Sequence, residues 1–166
     1  MDFTIRAVRP EEYDALGEVT ARAFLDDGHL DFGVDDAYLR LLRDVARRAA
    51  EAEVLVAVDR AGTVLGGVTF VAGGEWADIA REGEAEFRML AVAKGARGRG
   101  VGEALVRACT ERARRTPGCR RLVLSTQSRM SAAHRIYERA GFVRTPDRDW
   151  SPLADMDPLH TYALEL

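Results

Sequence analysis

The stretch ARGRGVGEALVRA, Ala96–Ala108, places three glycines at alternate positions immediately before a helical pattern. Val101 and Leu105 are one helical turn apart, and Ala108 follows on the same face. This periodicity predicts a helix over residues 100–115. A glycine-rich segment therefore lies where a helix begins, and this junction decides the fold.

The residue types at this junction suit a bound anion. Helix N-termini present unpaired N–H groups and partial positive charge. Glycines let the backbone approach a phosphate closely and adopt conformations that other residues avoid. Gly98, Gly100 and Gly102 therefore predict a phosphate cradle, to which Arg97 and Arg99 add charge and bidentate hydrogen bonding. The alternative is a flexible turn with a solvated positive face.

The loop does not match the two common nucleotide-binding patterns. The fingerprint G-x-G-x-x-G fails because its last position is Glu103 or Leu105, and no Gly-Lys-Ser/Thr follows for a Walker pattern. What remains is R-x-x-G-x-G, after the strand-like segment Met89–Ala93. It resembles the acyl-CoA signature of the GNAT superfamily of N-acetyltransferases, whose loop holds the pyrophosphate of acetyl-CoA. The resemblance implies cofactor binding by Arg97, Gly98, Arg99, Gly100, Val101 and Gly102.

A second motif lies downstream in AAHRIYERAGF, Ala132–Phe142. Gly141 can take the left-handed position just past a helix, and Phe142 can then fold back toward Tyr137. The segment is similar to the last-helix motif of the same family, in which a Tyr is followed by Gly-Phe. For Tyr137 alone, a core aromatic with a satisfied hydroxyl is the commoner role.

One position departs from the family pattern. Many members carry an Asn seven residues before the Tyr, where it touches the pantetheine arm, and this chain has Met130 there. Ser131 is the neighbouring polar candidate for that contact. Capping of the helix N-terminus is the alternative role of Ser131.

The remaining pattern predicts an α/β fold with a mixed central sheet flanked by helices, in the order βααβββαβαββ. No repeat or linker divides residues 1–166, so we expect a single GNAT-like domain. Strands are expected at 3–7, on both sides of a turn at 59–63, and at 86–93, 121–127, 142–144 and 161–166. Helices are expected over 10–24, 38–49, 100–115 and 131–140. Strands 86–93 and 121–127 should be parallel and joined by a right-handed crossover.

Acetyl transfer needs a bound thioester, a neutral amine, a stabilised oxyanion and a proton for the departing thiolate. The resemblance implies that CoA lies between two splayed strands, where backbone groups of Leu90, Ala91 and Val92 line the pantetheine. It also implies that Tyr137 is the catalytic acid. An unperturbed tyrosine titrates near roughly 10, so it is a proton donor at neutral pH.

The implied base is Glu86, which matches the strand position where some GNAT enzymes carry a catalytic Glu. A carboxylate must be partly desolvated to act as a base near neutral pH. The alternative is a solvated Glu86 or one that is paired with Arg88. Glu84 and a water chain without a dedicated base are the other candidates for the proton acceptor.

Composition limits the partners and the setting. The chain has 166 residues, a hydrophobic fraction of 47% and a net charge of -3, which argues against nucleic-acid binding and attraction to an acidic membrane. No apolar run spans a bilayer, and the first residues lack the apolar centre of a signal peptide. Cys109 and Cys119 make no disulfide or metal framework. We therefore expect a cytoplasmic protein without a metal.

The sequence thus predicts an acetyl-CoA-dependent N-acetyltransferase that acts on an amine, carried by a small molecule or a peptide. The acidic segment Phe24–Tyr38 could attract a cationic amine, although solvation and helix capping are the commoner roles for any single aspartate. A non-catalytic acyl-CoA-binding or regulatory module is the alternative function. The sequence leaves a homodimer open.

Overall fold

The computed structural model describes residues 2–26 and 37–166. The chain groups into two compact units, of which the first comprises Met1–Phe70 with Met89–Leu105. The second comprises Val71–Arg88 with Val106–Leu166. The expectation of one domain over residues 1–166 stays a prediction.

The strands belong to one seven-stranded sheet with the order β1-β2-β3-β4-β5-β7-β6. Their bounds are β1 Phe3–Ala7, β2 Glu53–Asp59, β3 Val64–Val71, β4 Glu84–Val92, β5 Arg121–Thr126, β6 Val143–Arg144 and β7 His160–Glu165. The pairs β1–β2, β2–β3, β5–β7 and β6–β7 are antiparallel, whereas β4 and β5 are parallel. The predicted α/β class with a mixed sheet is confirmed, as is the parallel pairing across the crossover.

The helices are α1 Tyr13–Asp26, α2 Ala37–Arg43, α3 Val45–Glu51, α4 Val101–Arg114 and α5 Ser131–Arg139. The single helix expected over 38–49 is wrong, because the chain leaves helical geometry at Asp44, with φ -86° and ψ 68°. The Asp44 carboxylate accepts the Arg47 N–H at 3.2 Å and caps α3. Aspartate at an N-cap satisfies a backbone donor that would otherwise be unpaired, so the break is stabilised locally. Over residues 2–26 and 37–166 the chain therefore contains one more α-helix than predicted.

In the first unit, β2 and β3 form an antiparallel hairpin. Asp59 closes its turn by accepting the N–H groups of Ala61 and Thr63, both at 2.9 Å. Every residue of β3 is buried. One side of the hairpin is covered by an apolar cluster formed by Leu16, Val45, Val54, Val56, Val58 and Val64. The end of β4 is tied to this hairpin because Ala93 donates its N–H to the Leu65 carbonyl at 2.8 Å.

In the second unit, the ladder between β4 and β5 is short. It covers three residue pairs and ends at Glu86 opposite Val123. β5 continues to Thr126, where it is paired with β7. Phe87 and Arg88, both described and in the same unit, have no partner on β5. The parallel ladder therefore ends at Glu86, the residue that is predicted to be the base.

Candidate functional site

The glycine loop of the first unit has the shape that the sequence predicts. Gly98 and Gly100 adopt left-handed conformations, with φ of 79° and 80°, and α4 begins directly after them at Val101. A Cβ atom added at either glycine would meet nothing within 4 Å, so the space over the loop is open. Gly102 is buried within the first turn of α4. Exposed main chain at the start of a fourteen-residue helix is a favourable place for an anion.

Both arginines of the loop are exposed. Arg99 donates from Nη2 to the Asp2 carboxylate at 2.7 Å, and both side chains are open to solvent. Exposed ion pairs contribute little free energy, so a phosphate can compete for the Arg99 guanidinium.

The strand that precedes the loop contains a feature that the sequence did not predict. Met89 has a φ of 58°, and it is the one non-glycine residue with a positive φ among residues 2–26 and 37–166. A left-handed residue within a strand breaks the regular alternation and changes the direction of the neighbouring N–H and C=O groups. Such strain persists only where the surrounding structure imposes it. Leu90, Ala91 and Val92, the residues implied to line the pantetheine, follow directly.

In the second unit, α5 ends with the predicted left-handed glycine. Gly141 has a φ of 95°, the Phe142 N–H bonds to the Tyr137 carbonyl at 3.0 Å, and the Gly141 N–H bonds to the Glu138 carbonyl at 3.1 Å. These two bonds define a Schellman motif. The expected contact is also present, since the rings of Tyr137 and Phe142 lie 6.1 Å apart.

Tyr137 is buried in an aromatic cluster of the second unit. Its ring centroid lies 5.8 Å from that of Phe87 and 5.7 Å from that of Tyr162. No hydrogen bond joins its hydroxyl to another described residue, and its role as the acid stays a prediction. Burial raises the pKa of Tyr137 well above its usual value. The hydroxyl therefore keeps its proton at any physiological pH and remains a donor.

Glu86 is fully buried, and its two oxygens have different surroundings. Oε1 accepts three successive backbone N–H groups, from Asp78, Ile79 and Ala80, at 2.9–3.0 Å. Oε2 is enclosed and has no hydrogen-bond partner among the described residues. Burial raises the pKa of Glu86, and the N–H donors oppose this rise only in part. A buried polar atom without a partner needs an explanation, and a role in proton transfer is one.

The alternative description of Glu86, as solvated or paired with Arg88, is wrong. Glu86 has no exposed surface. Arg88 instead pairs with Asp78 at 3.1 Å and donates to the Trp76 carbonyl at 2.9 Å. Glu86 and Arg88 lie on the same face of β4 and both bind the loop of residues 76–80. Glu86 accepts its backbone N–H groups, whereas Arg88 binds the Asp78 carboxylate and the Trp76 carbonyl.

Glu84, the other carboxylate considered as a base, is committed to ion pairs. It accepts hydrogen bonds from Arg148 and Arg121 at 2.9–3.0 Å and from the Arg81 N–H at 3.0 Å. Burial would raise the pKa of Glu84, but these donors outweigh it and lower the pKa to about 2. A carboxylate held so strongly in its ionised form is a poor proton acceptor.

Glu84→Gln should therefore cost stability rather than turnover. The folded-state pKa lies below the ordinary value of 4.5, so the contribution of Glu84 is complete above pH 4.5 and is lost as the pH falls toward about 2. We expect a loss of about 3 kcal/mol in the free energy of unfolding at pH 7. Urea unfolding of both proteins at pH 7 and pH 3 checks this, because the deficit should shrink at the lower pH. An equal deficit at both values would contradict the assignment.

Ser131 is the exposed first residue of α5, and the N-cap position is Met130. No side chain caps this helix, so the capping alternative for Ser131 is wrong. Its contact with the pantetheine stays a prediction.

Of the acidic segment, residues 27–36 lie outside the described residues. Asp26 is exposed at the end of α1, where it lies 3.8 Å from Arg22. The described residues contain no group of three or more His, Cys, Asp or Glu side chains arranged to hold a metal ion. Among the helices of residues 2–26 and 37–166, none has the length and apolar character needed to cross a bilayer.

Comparison with known proteins gives the family. A model of the acetyltransferase (GNAT) family matches residues 16–142. No curated protein matches the chain.

Solved structures resemble the chain over nearly its whole length. The yncA protein of Salmonella typhimurium, solved with its cofactor acetyl-CoA, is 25% identical with a TM-score of 0.70, over 100% of this chain and 95% of that chain. A GCN5-related N-acetyltransferase from Kribbella flavida is 23% identical with a TM-score of 0.71, over 99% and 98% of the two chains. An N-acetyltransferase from Staphylococcus aureus Mu50 is 19% identical with a TM-score of 0.71, over 99% of each chain. Since the family model covers most of its residues, the chain belongs to the acetyltransferase (GNAT) family.

Proposed function

We propose that this protein transfers the acetyl group of acetyl-CoA to an amine by direct attack on the thioester. The observation that carries the proposal is the glycine loop, in which left-handed Gly98 and Gly100 leave exposed main chain under open space at the start of α4. Family membership supports acetyl transfer in general, and the yncA protein was solved with acetyl-CoA. The acceptor is an amine on a small molecule or a peptide.

The reaction forms one bond, breaks one bond and needs two proton transfers. The amine nitrogen attacks the thioester carbon, the C–N bond forms, and the C–S bond breaks. Tyr137 gives its proton to the departing thiolate. A backbone N–H of residues 90–92 stabilises the developing oxyanion, a contribution on the order of 10²- to 10³-fold in rate.

We assign proton acceptance from the amine to Glu86, through Oε2. Oε1 already accepts three N–H groups, so only Oε2 is available for a new hydrogen bond. The raised pKa of Glu86 makes it a better proton acceptor than an ordinary carboxylate. A water chain without Glu86 is the alternative route.

A substitution in the glycine loop tests cofactor binding, and the chain offers a matched control. Gly100 and Gly62 have φ of 80° and 86°, and an added Cβ would meet nothing within 4 Å at either position. Alanine therefore carries the same left-handed cost at both, roughly 1–2 kcal/mol. Only Gly100→Ala adds a methyl group at the proposed pyrophosphate site.

We expect Gly100→Ala to weaken acetyl-CoA binding by at least about tenfold, or roughly 1.4 kcal/mol. Gly62→Ala, in the turn between β2 and β3, should leave the affinity unchanged. Isothermal titration calorimetry with acetyl-CoA measures both, and thermal unfolding confirms that the variants lose similar stability. Equal affinities in the two folded variants would remove the phosphate-cradle assignment.

A non-catalytic acyl-CoA-binding module is the second candidate. The enclosed Oε2 of Glu86 favours the enzyme, because a module that only binds needs no buried carboxylate oxygen without a hydrogen-bond donor. Amine-dependent release of CoA thiol separates the two functions.

A further inference from the structure

Gly66 is buried in the middle of β3. Its backbone conformation is one that any residue could adopt, so the conformation does not explain why a glycine is found there. Its φ lies outside the left-handed region, unlike that of Gly98 or Gly100. It pairs with Ala57 on β2, beside a bulge after which Val58 pairs with Val64. A glycine inside a strand weakens it, and it marks either a bulge or the close approach of another backbone.

The atoms that approach Gly66 identify what it accommodates. A Cβ at this position would lie 2.5 Å from the Ala91 carbonyl oxygen and 3.3 Å from both the Val92 Cα and the Val101 Cγ1. Two of these three contacts are with the main chain of β4, which cannot rotate away as a side chain can. The third is with the first residue of α4. All of these residues belong to the first unit.

We propose that Gly66 is a positioning residue for acetyl-CoA, which sets where the end of β4 and the start of α4 lie. The inference rests on the proposed function, in which residues 90–92 line the pantetheine and α4 begins at the pyrophosphate. Gly66 is buried and is not among the residues proposed to contact the cofactor. It acts by leaving room for the Ala91 carbonyl, so a methyl group at residue 66 must displace the strand, the helix or both.

The neighbouring Gly67 provides a control whose shortest contact is equally close, 2.5 Å, but is with the end of a side chain. A Cβ at Gly67 would lie 2.5 and 2.9 Å from the two δ-carbons of Leu16 and 3.0 Å from the Leu55 carbonyl. Side chains of successive strand residues point to opposite faces of the sheet. Gly67→Ala therefore disturbs the apolar cluster around Leu16 and leaves β4 and α4 in place.

The experiment compares Gly66→Ala and Gly67→Ala with the wild type by acetyl-CoA calorimetry, urea unfolding and, where turnover is found, steady-state kinetics. Both variants should lose stability. We expect the acetyl-CoA dissociation constant of Gly66→Ala to rise by about tenfold to 100-fold, since a displacement near 1 Å can cost that much. Gly67→Ala should keep the wild-type constant. Equal constants in Gly66→Ala and the wild type would overturn the proposal, as would an equal rise in both variants.

A second variant covers the case in which Gly66→Ala does not fold. Adding Val101→Ala removes the Cγ1 atom and leaves the Ala91 carbonyl as the tightest contact, so the double variant is less strained. It should still bind acetyl-CoA at least about tenfold more weakly than Val101→Ala alone. Equal binding by these two proteins would overturn the proposal. Failure of the wild type to bind acetyl-CoA would instead contradict the proposed function, so the two failures are distinguishable.

Discussion

Tyr137→Phe is expected to lower turnover by about 10²- to 10⁴-fold, which is the usual contribution of a general acid. The substitution keeps the ring and its contacts with Phe87, Phe142 and Tyr162, and removes only the hydroxyl. That hydroxyl has no hydrogen-bond partner among the described residues, so its loss should hardly change stability. Acetyl-CoA affinity should also stay near the wild-type value. Pre-steady-state measurement of CoA thiol release gives the chemical step directly.

Tyr162→Phe is the matched control for this result. Tyr162 is a second buried tyrosine of the same cluster, and burial raises its pKa as well. Because no proton transfer is assigned to Tyr162, its substitution should leave the chemical step near the wild-type rate. A wild-type rate for Tyr137→Phe, with chemistry limiting, would return Tyr137 to a packing role. Equal losses in both variants would indicate a general disturbance of the cluster.

Glu86→Gln should give the second large effect, a fall in turnover of about 10²- to 10⁴-fold. Glutamine retains an Oε1 that can accept the N–H groups of Asp78, Ile79 and Ala80, so the loop should stay anchored. In the wild type the carboxylate becomes available only above its raised pKa, and turnover should therefore rise with pH through that value. The variant should lack this acidic limb. The measurement is kcat as a function of pH under saturating acetyl-CoA.

Glu84→Gln controls for the substitution itself, since Glu84 lies two residues earlier on the same face of β4. It should keep the acidic limb of the pH profile while losing stability. An unchanged pH profile in Glu86→Gln would show that Glu86 is not the base and would leave a water chain as the route. In that case the three N–H bonds to Oε1 would describe its whole role.

The features that could be predicted from the sequence are those that depend on the residue types of one short segment. Gly100 and Gly141 take left-handed conformations at a helix start and a helix end, where the absence of a Cβ makes that conformation inexpensive. The motifs around them therefore carried most of the information about fold and family. The capping of α3 by Asp44 was also within reach, because aspartate is a favoured N-cap residue. The continuous apolar stripe over Tyr38–Ala49 obscured it.

The features that could not be predicted depend on which segments meet. Met89 is a residue type that rarely adopts a positive φ, so the sequence around it gives no signal of this conformation. The N–H groups that bind Glu86 come from residues 78–80, a loop that carries no motif. Gly66 does signal a close approach, but the sequence does not say that the Ala91 carbonyl makes it.

The most direct test of the account is acetyl transfer by the unmodified protein. Purified protein with acetyl-CoA should be supplied with polyamines, amino acids, aminoglycosides and peptides with free amines, one class at a time. Release of CoA thiol is followed by absorbance, and the product is identified by mass spectrometry. The account predicts thiol release that depends on one amine class, with an acetyl group on the nitrogen of that amine. Tight binding of acetyl-CoA without amine-dependent release from any class would contradict it and favour the non-catalytic module.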